Sequence, residues 1–592
     1  MDMLNIKVNG LPIEAPKGST VLEASRIAGV EIPTLCFLKD INEIGACRIC
    51  VAEVAEMRGP ALGPKRIVAS CVYPITNGME IYTNTPKVIE SRKQTLELIL
   101  STHDRKCLSC VRSGNCELQK LCRDLGVEDE GKYDGDKPHY DIDYSAAHMI
   151  RDNNKCILCR RCTAVCEKTQ GIGVIGANER GFNSHISSAF ELGLGDTSCV
   201  SCGQCIAVCP TGALAEKDNT TDVFAALADP TKHVVVQTAP AVRAALGEMF
   251  GLEIGTDVEG KMIAALRRLG FDKVFDTNFT ADLTIMEEAH EFLDRVKNGG
   301  TLPLITSCSP GWVKYCEHYF PELTENLSSC KSPQQMFGAL TKTYYAEKMG
   351  IDPKDIVSVS IMPCTAKKFE LGRDDQSAAG VPDVDFALTT RELGYMIDRA
   401  GIKFNSLPDE EYDEPMGIHT GAGVIFGATG GVMEAALRTA VETLTGEELP
   451  NVDFVDVRGT EGIKEKAYEV AGMTVKVAVA SGLANAKELL NKVKSGEADY
   501  HFIEIMGCPG GCVNGGGQPQ QPGYVRNTVD IKAKRAKVLY DLDANNPVRK
   551  SHENPAIKAL YAEYLGEPGS HKAHELLHTT YVKRGIKDDP RA

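Results

Sequence analysis

The sequence predicts a multidomain protein, with small α+β units in front of a larger C-terminal α/β domain. Three observations carry that expectation. The 592 residues are enough for several cores, a domain taking about 100–200 residues. Sixteen of the 22 cysteines fall within residues 36–209, and only six lie in the 383 residues that follow. From about residue 222 the texture turns to apolar strands alternating with helices, the α/β pattern. A composition 43% hydrophobic and 25% charged excludes a disordered or collagen-like chain. With 65 basic and 81 acidic residues the net charge is −16, and a single Trp and 6% aromatics offer few stacking platforms, so nucleic acid is not an expected partner. No apolar run reaches the length of about 18 residues that a membrane span needs. The start, MDMLNIKVNGLPIE, lacks the basic and apolar regions of a signal peptide, so a cytoplasmic location is expected. In a reducing compartment, thiols at C-x-x-C spacing are expected to hold metal rather than to pair.

Residues 1–80 read as a β-grasp unit. Leu4, Ile6 and Val8 alternate with polar residues, Asn9-Gly10 turns the chain, and Leu11 and Ile13 alternate again, which is the pattern of a β-hairpin. Ser19 or Thr20 caps the helical stretch VLEASRIAG, and Gly29 ends it. Cys36, Cys47, Cys50 and Cys71 have 10, 2 and 20 residues between them. Four thiolates with one close pair suit a 2Fe–2S cluster, in which each iron takes two ligands. A structural zinc site is the alternative.

Residues 81–125 hold a helical segment, VIESRKQTLELILS, and then His103, Cys107, Cys110 and Cys116 at the spacing H-x3-C-x2-C-x5-C. Three thiolates and a neutral imidazole suit a 4Fe–4S cluster. Cys122 is a rival fourth ligand, and a surface histidine beside Asp104 and Arg105 is the competing reading of His103. Residues 140–218 contain two near-copies of C-x2-C-x2-C-x3-C: Cys156, Cys159, Cys162, Cys166, then Cys199, Cys202, Cys205, Cys209 with Pro210. In this bacterial ferredoxin pattern the fourth cysteine serves the other cluster. Cys156, Cys159, Cys162 and Cys209 are therefore assigned to one 4Fe–4S cluster, and Cys199, Cys202, Cys205 and Cys166 to the second. Fifteen cysteines and one histidine would hold four clusters, a wire for single electrons between a surface and a buried site.

Residues 222–592 form the α/β part. KHVVVQTAPAVRAALGEMFG reads as strand, loop and a helix starting near Pro240. TLPLITSCSP, IVSVSIMPC, TVKVAVASG and YHFIEIMGC read as further strands. Cys308, Cys364 and Cys508 each follow the C-terminal end of such a strand, and Cys512 follows Cys508 in CPGGC. Ligands gather at that edge in α/β folds, so these cysteines are expected to converge on a metal site. Cys316 and Cys330 are expected to be core residues within strands or on helix faces. Glu288 and Glu291 lie three apart in DLTIMEEAHEFLDRV, on one helix face, with Arg295 one turn further on. Composition alone favours a solvated acidic face there.

MPCTAKKFE (Met362–Glu370), IEIMGCPGGCVNGGGQP (Ile503–Pro519), TSCSPGW (Thr306–Trp312) and FGATGGVMEAALR (Phe426–Arg438) resemble the signature segments of FeFe-hydrogenases. The likeness runs over nearly the whole chain. It includes the four-cluster front end of the large clostridial type and of the catalytic subunits of NAD(P)-linked, electron-bifurcating hydrogenases. The resemblance implies reversible oxidation of H2 at an H-cluster, a 4Fe–4S cubane bridged through a cysteine sulfur to a diiron unit with CO, cyanide and azadithiolate. Cys364, Cys508 and Cys512 match cubane ligands, Cys512 being the bridging one. Lys367 matches the lysine beside a cyanide, a role that suits a buried ammonium otherwise lacking an anionic partner. Ser332 and Gln334 match polar groups around the diiron unit, and Met362, Phe426 and Met506 its apolar wall. Cys308, Glu288, Ser328, Glu291 and Arg295 match a proton path to solvent. The implied partners are a ferredoxin and flavin-bearing, NAD(P)-binding and 2Fe–2S hydrogenase subunits.

One segment departs from the family. Where TSCCPxW is usual, with a relay thiol followed by the fourth cubane ligand, this chain has TSCSPGW, which puts Cys308 at the relay position and Ser309 at the ligand position. Either the serine oxygen ligates iron, or the loop shifts so that Cys308 does, or the cubane has a weaker fourth ligand. HELLH (His574–His578) matches the zinc-protease pattern, but without a clear third ligand it is expected to be one face of a terminal helix. GAGVIFG (Gly421–Gly427) is no dinucleotide fingerprint and no Walker A sequence occurs, so no nucleotide is expected on this chain. The alternatives are an electron-transfer subunit like those of complex I or formate dehydrogenase, and a hydrogenase-like iron–sulfur scaffold protein. MPCTAKK and CPGGC speak against the first, and Lys367 with the acidic path against the second.

Overall fold

Asn9 and Gly10 both adopt positive φ, 51° and 87°, the pair of conformations whose twist suits a two-residue hairpin. They join the antiparallel strands Met3–Val8 and Leu11–Pro16. The computed structural model, which describes residues 2–585, extends this hairpin to a five-stranded sheet in the order Leu11–Pro16, Met3–Val8, Glu80–Tyr82, Val51–Ala55, Arg66–Ala69. Thr20 caps the Val21–Ile27 helix by accepting from the Glu23 N–H, while the Glu23 carboxylate accepts from the Thr20 N–H. Val21 and Leu22 pack with Ile6, Val8, Val54 and Ile81 in one apolar core, and the unit is a β-grasp domain.

The Pro86–Thr102 helix follows, and His103 is its C-terminal cap. Cys116 is the N-terminal cap of the Glu117–Asp124 helix. The duplicated cysteine runs have a duplicated local geometry. Each leads into a short helix, Arg161–Ala164 or Gln204–Val208, directly after a left-handed residue, Arg160 (φ 61°) or Gly203 (φ 68°). Met149–Arg151 pairs antiparallel with Leu214–Glu216 beside them. Gly203 is also where this unit meets the C-terminal domain: a Cβ there would lie 2.3 Å from Thr365 Oγ1.

The C-terminal domain has two four-stranded sheets. The first is wholly parallel, in the order Lys273–Asp276, His233–Thr238, Ile356–Met362, Phe386–Thr389. In the second, Leu304–Ile305, Phe502–Met506 and Met473–Ser481 are parallel, and Ile463–Val470 adds an antiparallel edge. Of the run TLPLITSCSP only Leu304–Ile305 pairs as strand, Pro303 having no N–H to offer a ladder. The central strands His233–Thr238, Ile356–Met362 and Phe502–Met506 are buried almost throughout, as parallel strands covered by helices must be, while the Ile463–Val470 edge is largely exposed. The Thr277–Asn298 helix separates two cores, giving Phe279 and Leu283 to one and Ala281, Ile285 and Phe292 to the other. GAGVIFG forms a buried helical turn, Gly421–Val424. Among the described residues no helix is long and apolar enough to cross a membrane.

Arg438 fastens the back of this domain. Fully buried on the Gly431–Thr445 helix, it donates to both carboxylate oxygens of Asp543 at 2.8 Å and to Glu434 at 2.7 Å. Removing Arg438 leaves these two buried carboxylates with only the more exposed Arg458 and Arg549 as cations. Arg438→Met is expected to destabilise the C-terminal domain by about 3–5 kcal/mol, read as a lowered denaturant midpoint of the apoprotein.

Candidate functional site

All 22 cysteines are free thiols. In the β-grasp unit Cys50 Sγ and Cys71 Sγ lie 3.3 Å apart. A hydrogen bond from Cys47 pulls Cys36 down to about 6, and one from Cys71 pulls Cys50 down to about 7. His103 is buried, so it is not a surface histidine, and its Nδ1 has no hydrogen-bond partner among the described residues. Burial holds the imidazole down to about 4, which keeps it neutral. His103, Cys107, Cys110, Cys116 and Cys122 line a single cavity. In the next unit Cys156 and Cys209 act on both Cys159 and Cys162, and Cys199 and Cys166 on both Cys202 and Cys205, while Cys162 also feels Cys205 and Cys205 feels Cys209. Burial pushes the Cys156 thiol up to about 12 and the Cys166 thiol to about 11. Thiols crowded in fours, and costly to ionise without a cation, fit iron–sulfur clusters by the chemistry of the donor set.

Side chains unremarked in the sequence join these sets. The Asn42 amide, 2% exposed, donates to the carbonyls of Cys36 at 2.8 Å and of Cys159 at 2.9 Å. Arg112, between Cys110 and Cys116, donates to the Cys209 carbonyl at 2.9 Å. Thr365 donates to the Ser201 carbonyl at 2.7 Å, and Gln170 to the Gly507 carbonyl at 3.0 Å.

In the C-terminal domain five strand ends from the two sheets deliver residues to one cavity of about 80 Å³. Pro240, Thr277, the Cys308–Ser309–Pro310 segment, Met362 with Cys364, and Met506 with Cys508 come from the five ends, and Cys512 and Phe426 close it. Cys364 and Cys508 are in contact, their hydrogen bond lowering the first thiol and raising the second. The lining is almost wholly apolar apart from these sulfurs, Ser309, Gln334 and Lys367, a set that fits a cofactor with soft metal and one anionic corner. Lys367 Nζ donates to the Cys308 carbonyl at 3.2 Å and to Glu370 Oε2 at 2.9 Å. The expectation that this ammonium lacks an anionic partner is thus corrected: Glu370, which the sequence did not single out, supplies one. Glu370 also accepts from Ser332 Oγ and Gln334 Nε2, each at 3.0 Å. Gln334 reaches the cavity, and Ser332 stands behind it against Glu370.

Behind Cys308 lies Glu288, 2% exposed, with Oε2 unpartnered among the described residues. A solvated acidic face is therefore not what this helix presents. Burial pushes Glu288 up to about 8, the Glu291 charge adding to it against the neighbouring Ser328 hydroxyl. Ser328 Oγ donates to Glu291 Oε2 at 3.1 Å, and Arg295 donates to Glu291 Oε1 at 2.6 Å. Cys316 sits on the Pro310–Tyr319 helix, but Cys330 lies in an extended segment bridged to His578, not on a helix face or within a strand. HELLH ends the His571–Leu577 helix with His578 just beyond it. His578 Nδ1 is 2.7 Å from Ser329 Oγ and Nε2 3.2 Å from Glu287, and its ring stacks on His574 at 4.0 Å. His578 is thus tied into the interior rather than displayed on a helix face.

Sulfur-lined sites leading to a buried, strand-end cavity define an iron–sulfur redox enzyme. Residues 232–516 match the family described as the iron only hydrogenase large subunit, C-terminal domain, and residues 529–584 the iron hydrogenase small subunit. In front of them, residues 1–86 match a 2Fe-2S iron-sulfur cluster binding domain, 92–130 the NADH-ubiquinone oxidoreductase-G iron-sulfur binding region, and 155–213 a 4Fe-4S dicluster domain. The chain is 51% identical to the NADP-reducing hydrogenase subunit HndD of Solidesulfovibrio fructosivorans, over 99% of its own length and all of the relative. It is 45% identical to iron hydrogenase 1 of Clostridium pasteurianum, over 98% and 100% of the two. The solved apo FeFe-hydrogenase of Chlamydomonas reinhardtii superposes on 62% of this chain and 100% of its own, with TM-score 0.57 and 47% identity. The chain belongs to the iron-only, or FeFe, hydrogenase family. It is an oxidoreductase that acts on hydrogen, with 2Fe–2S and 4Fe–4S binding domains in front of an H-cluster domain.

The raised Glu288 carboxyl gives a spectroscopic expectation. Below about pH 8 it is neutral and above that ionised, so the infrared carbonyl band of a protonated acid should fade as pH rises through that value. Glu288→Gln should lack the transition.

Proposed function

We propose that Cys364, Cys508 and Cys512 would hold the H-cluster in the strand-end cavity, and that the front units would carry electrons between this cavity and partner proteins. The supporting observation is the meeting of these thiols with Lys367 and the Cys308–Ser309 segment around one apolar space backed by a buried acid. When bound, the cofactor supplies the cleavage of H2 and the accompanying redox change.

The chain's own groups do the rest. Lys367, held by Glu370 and the Cys308 carbonyl, keeps an N–H for an anionic ligand of the cofactor. Met362, Phe426 and Met506 keep water out, which strengthens that charge interaction. Burial holds the Cys308 thiol protonated, so Sγ carries the proton nearest the cavity. Glu288 takes or gives the next one, its pKa near the working pH as a relay requires. The Ser328 hydroxyl passes it to Glu291, and Arg295 ends the path at the half-exposed rim.

Electrons take the other side. Thr365 abuts Ser201, so the Cys166, Cys199, Cys202, Cys205 site stands next to the cavity, followed by the Cys156, Cys159, Cys162, Cys209 site. Two branches meet at the latter: Asn42 links it to the Cys36, Cys47, Cys50, Cys71 site, and Arg112 to the His103, Cys107, Cys110, Cys116 site. His103 is favoured over Cys122 as ligand because a buried, unpartnered ring nitrogen is costly, whereas a thiol tolerates apolar surroundings. In this reading the chain holds one 2Fe–2S and three accessory 4Fe–4S clusters. Two branches suit two acceptors, a ferredoxin and a flavin-bearing, NAD(P)-linked assembly with a 2Fe–2S subunit, in the cytoplasm. The NADP-reducing relative supports the second.

The test is anaerobic purification of matured protein, with iron counting and a hydrogen assay using an artificial dye. Turnover is expected, and full iron loading without turnover would sink the reading. Glu288→Gln and Cys308→Ala should each lose about 10²–10⁴-fold in rate, the range of an acid–base relay, at unchanged iron. Cys156→Ala and Cys209→Ala should remove equal iron, and the double variant no more. Additive losses would place them in separate clusters. A flavin-containing subunit is expected to co-purify from the native host.

A further inference from the structure

Resting on the reading of this cavity as a cubane site, we infer that the Ser309 side-chain oxygen is the fourth ligand of the cubane, beside Cys364, Cys508 and Cys512. A 4Fe–4S cluster needs four protein donors, and the cavity lining offers two further candidates on adjacent residues, Cys308 and Ser309.

The two side chains diverge. Cys308 packs, as Cys512 does, against the apolar cluster that includes Phe426 and Met506. Its carbonyl accepts from Lys367 at 3.2 Å, and its thiol makes no hydrogen bond among the described residues. Ser309 Oγ instead accepts from the Gly507 N–H at 3.1 Å, and Gly507 is the residue before Cys508. The approach is close: a Cβ on Gly507 would lie 3.3 Å from Ser309 Oγ.

The position of Ser309 sharpens the point. It is the N-terminal cap of the Pro310–Tyr319 helix, yet its side chain makes no capping hydrogen bond. A serine there ordinarily turns its oxygen onto the first helical N–H groups. This one is turned away, towards the segment that carries Cys508. A hydroxyl has two lone pairs and one proton. Gly507 occupies one lone pair, and the proton is donated to no group among the described residues. On coordination the O–H proton leaves to solvent as the Fe–O bond forms, no electron moves, and the Gly507 N–H remains to stabilise the alkoxide. An alkoxide is a harder donor than thiolate, so it favours the oxidised cluster.

The test uses the full chain produced without maturation enzymes and reconstituted anaerobically with ⁵⁷Fe and sulfide, so that it reads the cubane without the diiron unit or H2. In the Mössbauer difference between wild type and Ser309→Cys, one iron site of raised isomer shift is expected in wild type and a thiolate-type site in the variant, at equal iron content. The cubane midpoint should shift upward in Ser309→Cys, and Ser309→Ala should lose cubane iron while Cys308→Ala keeps it. Identical wild-type and Ser309→Cys spectra, or loss of the cubane in Cys308→Ala with retention in Ser309→Ala, would overturn the inference. If Ser309→Ala does not fold, the near-isosteric Ser309→Cys still decides. Absence of hydrogen turnover in matured protein would count against the function and leave these spectra unaffected.

Discussion

Packing thiols closely together is the constraint on which the rest of this structure depends. A buried thiol resists ionisation unless a neighbour donates to it, as Cys47 does to Cys36, and neighbouring thiolates repel, so such sets suit a cation between them. The fold supplies what such sets need in addition. Short helices start straight after left-handed residues at the cysteine runs, and the Leu158 N–H points at Cys156 Sγ at 3.4 Å. Arg161, 1% exposed and paired with Glu117 at 2.7 and 3.1 Å, places a fixed positive charge within reach of Cys159 and Cys36. Charge balance at the front of the chain is thus partly built from protein groups.

The strand-end cavity solves a different problem with the same economy of charge. It holds a single ammonium, and that ammonium is anchored. Glu370 gathers Lys367, Ser332 and Gln334 on one carboxylate, so the lysine head group has one position rather than an ensemble, and an incoming anion meets a preorganised donor. On the opposite wall the Thr277–Asn298 helix places the raised acid Glu288 one turn from Glu291. The two carboxyl groups share a helix but not surroundings: Glu288 is wholly buried, and Glu291 is held by Arg295 at 2.6 Å.

Local features of this architecture were open to reading in the sequence, and contacts between distant segments were not. The hairpin at Asn9-Gly10, the cap at Thr20 and the strands that precede Cys364 and Cys508 follow from hydrogen bonds and periodicities spanning a few residues. The acidic helix and HELLH were harder, because periodicity tells which residues share a face and not what packs on that face. Composition suggested solvent for Glu288, where the structure has Cys308 and Ser328. It suggested a helix face for His578, where the structure has Ser329 and Glu287. Asn42 and Arg112 carry no motif, and their importance comes only from partners up to 117 residues away, while Glu370 ends a family segment whose pattern does not show that it also gathers Ser332 and Gln334.

By itself the sequence determined the class of chemistry, since cysteine spacing fixes which thiols can share an ion when the chain between them is short. It also determined the two-part construction and, through the family segments, the catalytic half. Only the tertiary structure decided how the parts meet: five strand ends from two sheets around one cavity, an asparagine joining two sulfur sites, a carboxylate holding the lysine, and Cys308 and Ser309 turned in different directions. Those arrangements depend on burial and on long-range packing, and the energy that sets them is shared among residues too far apart in the chain for any local pattern to record.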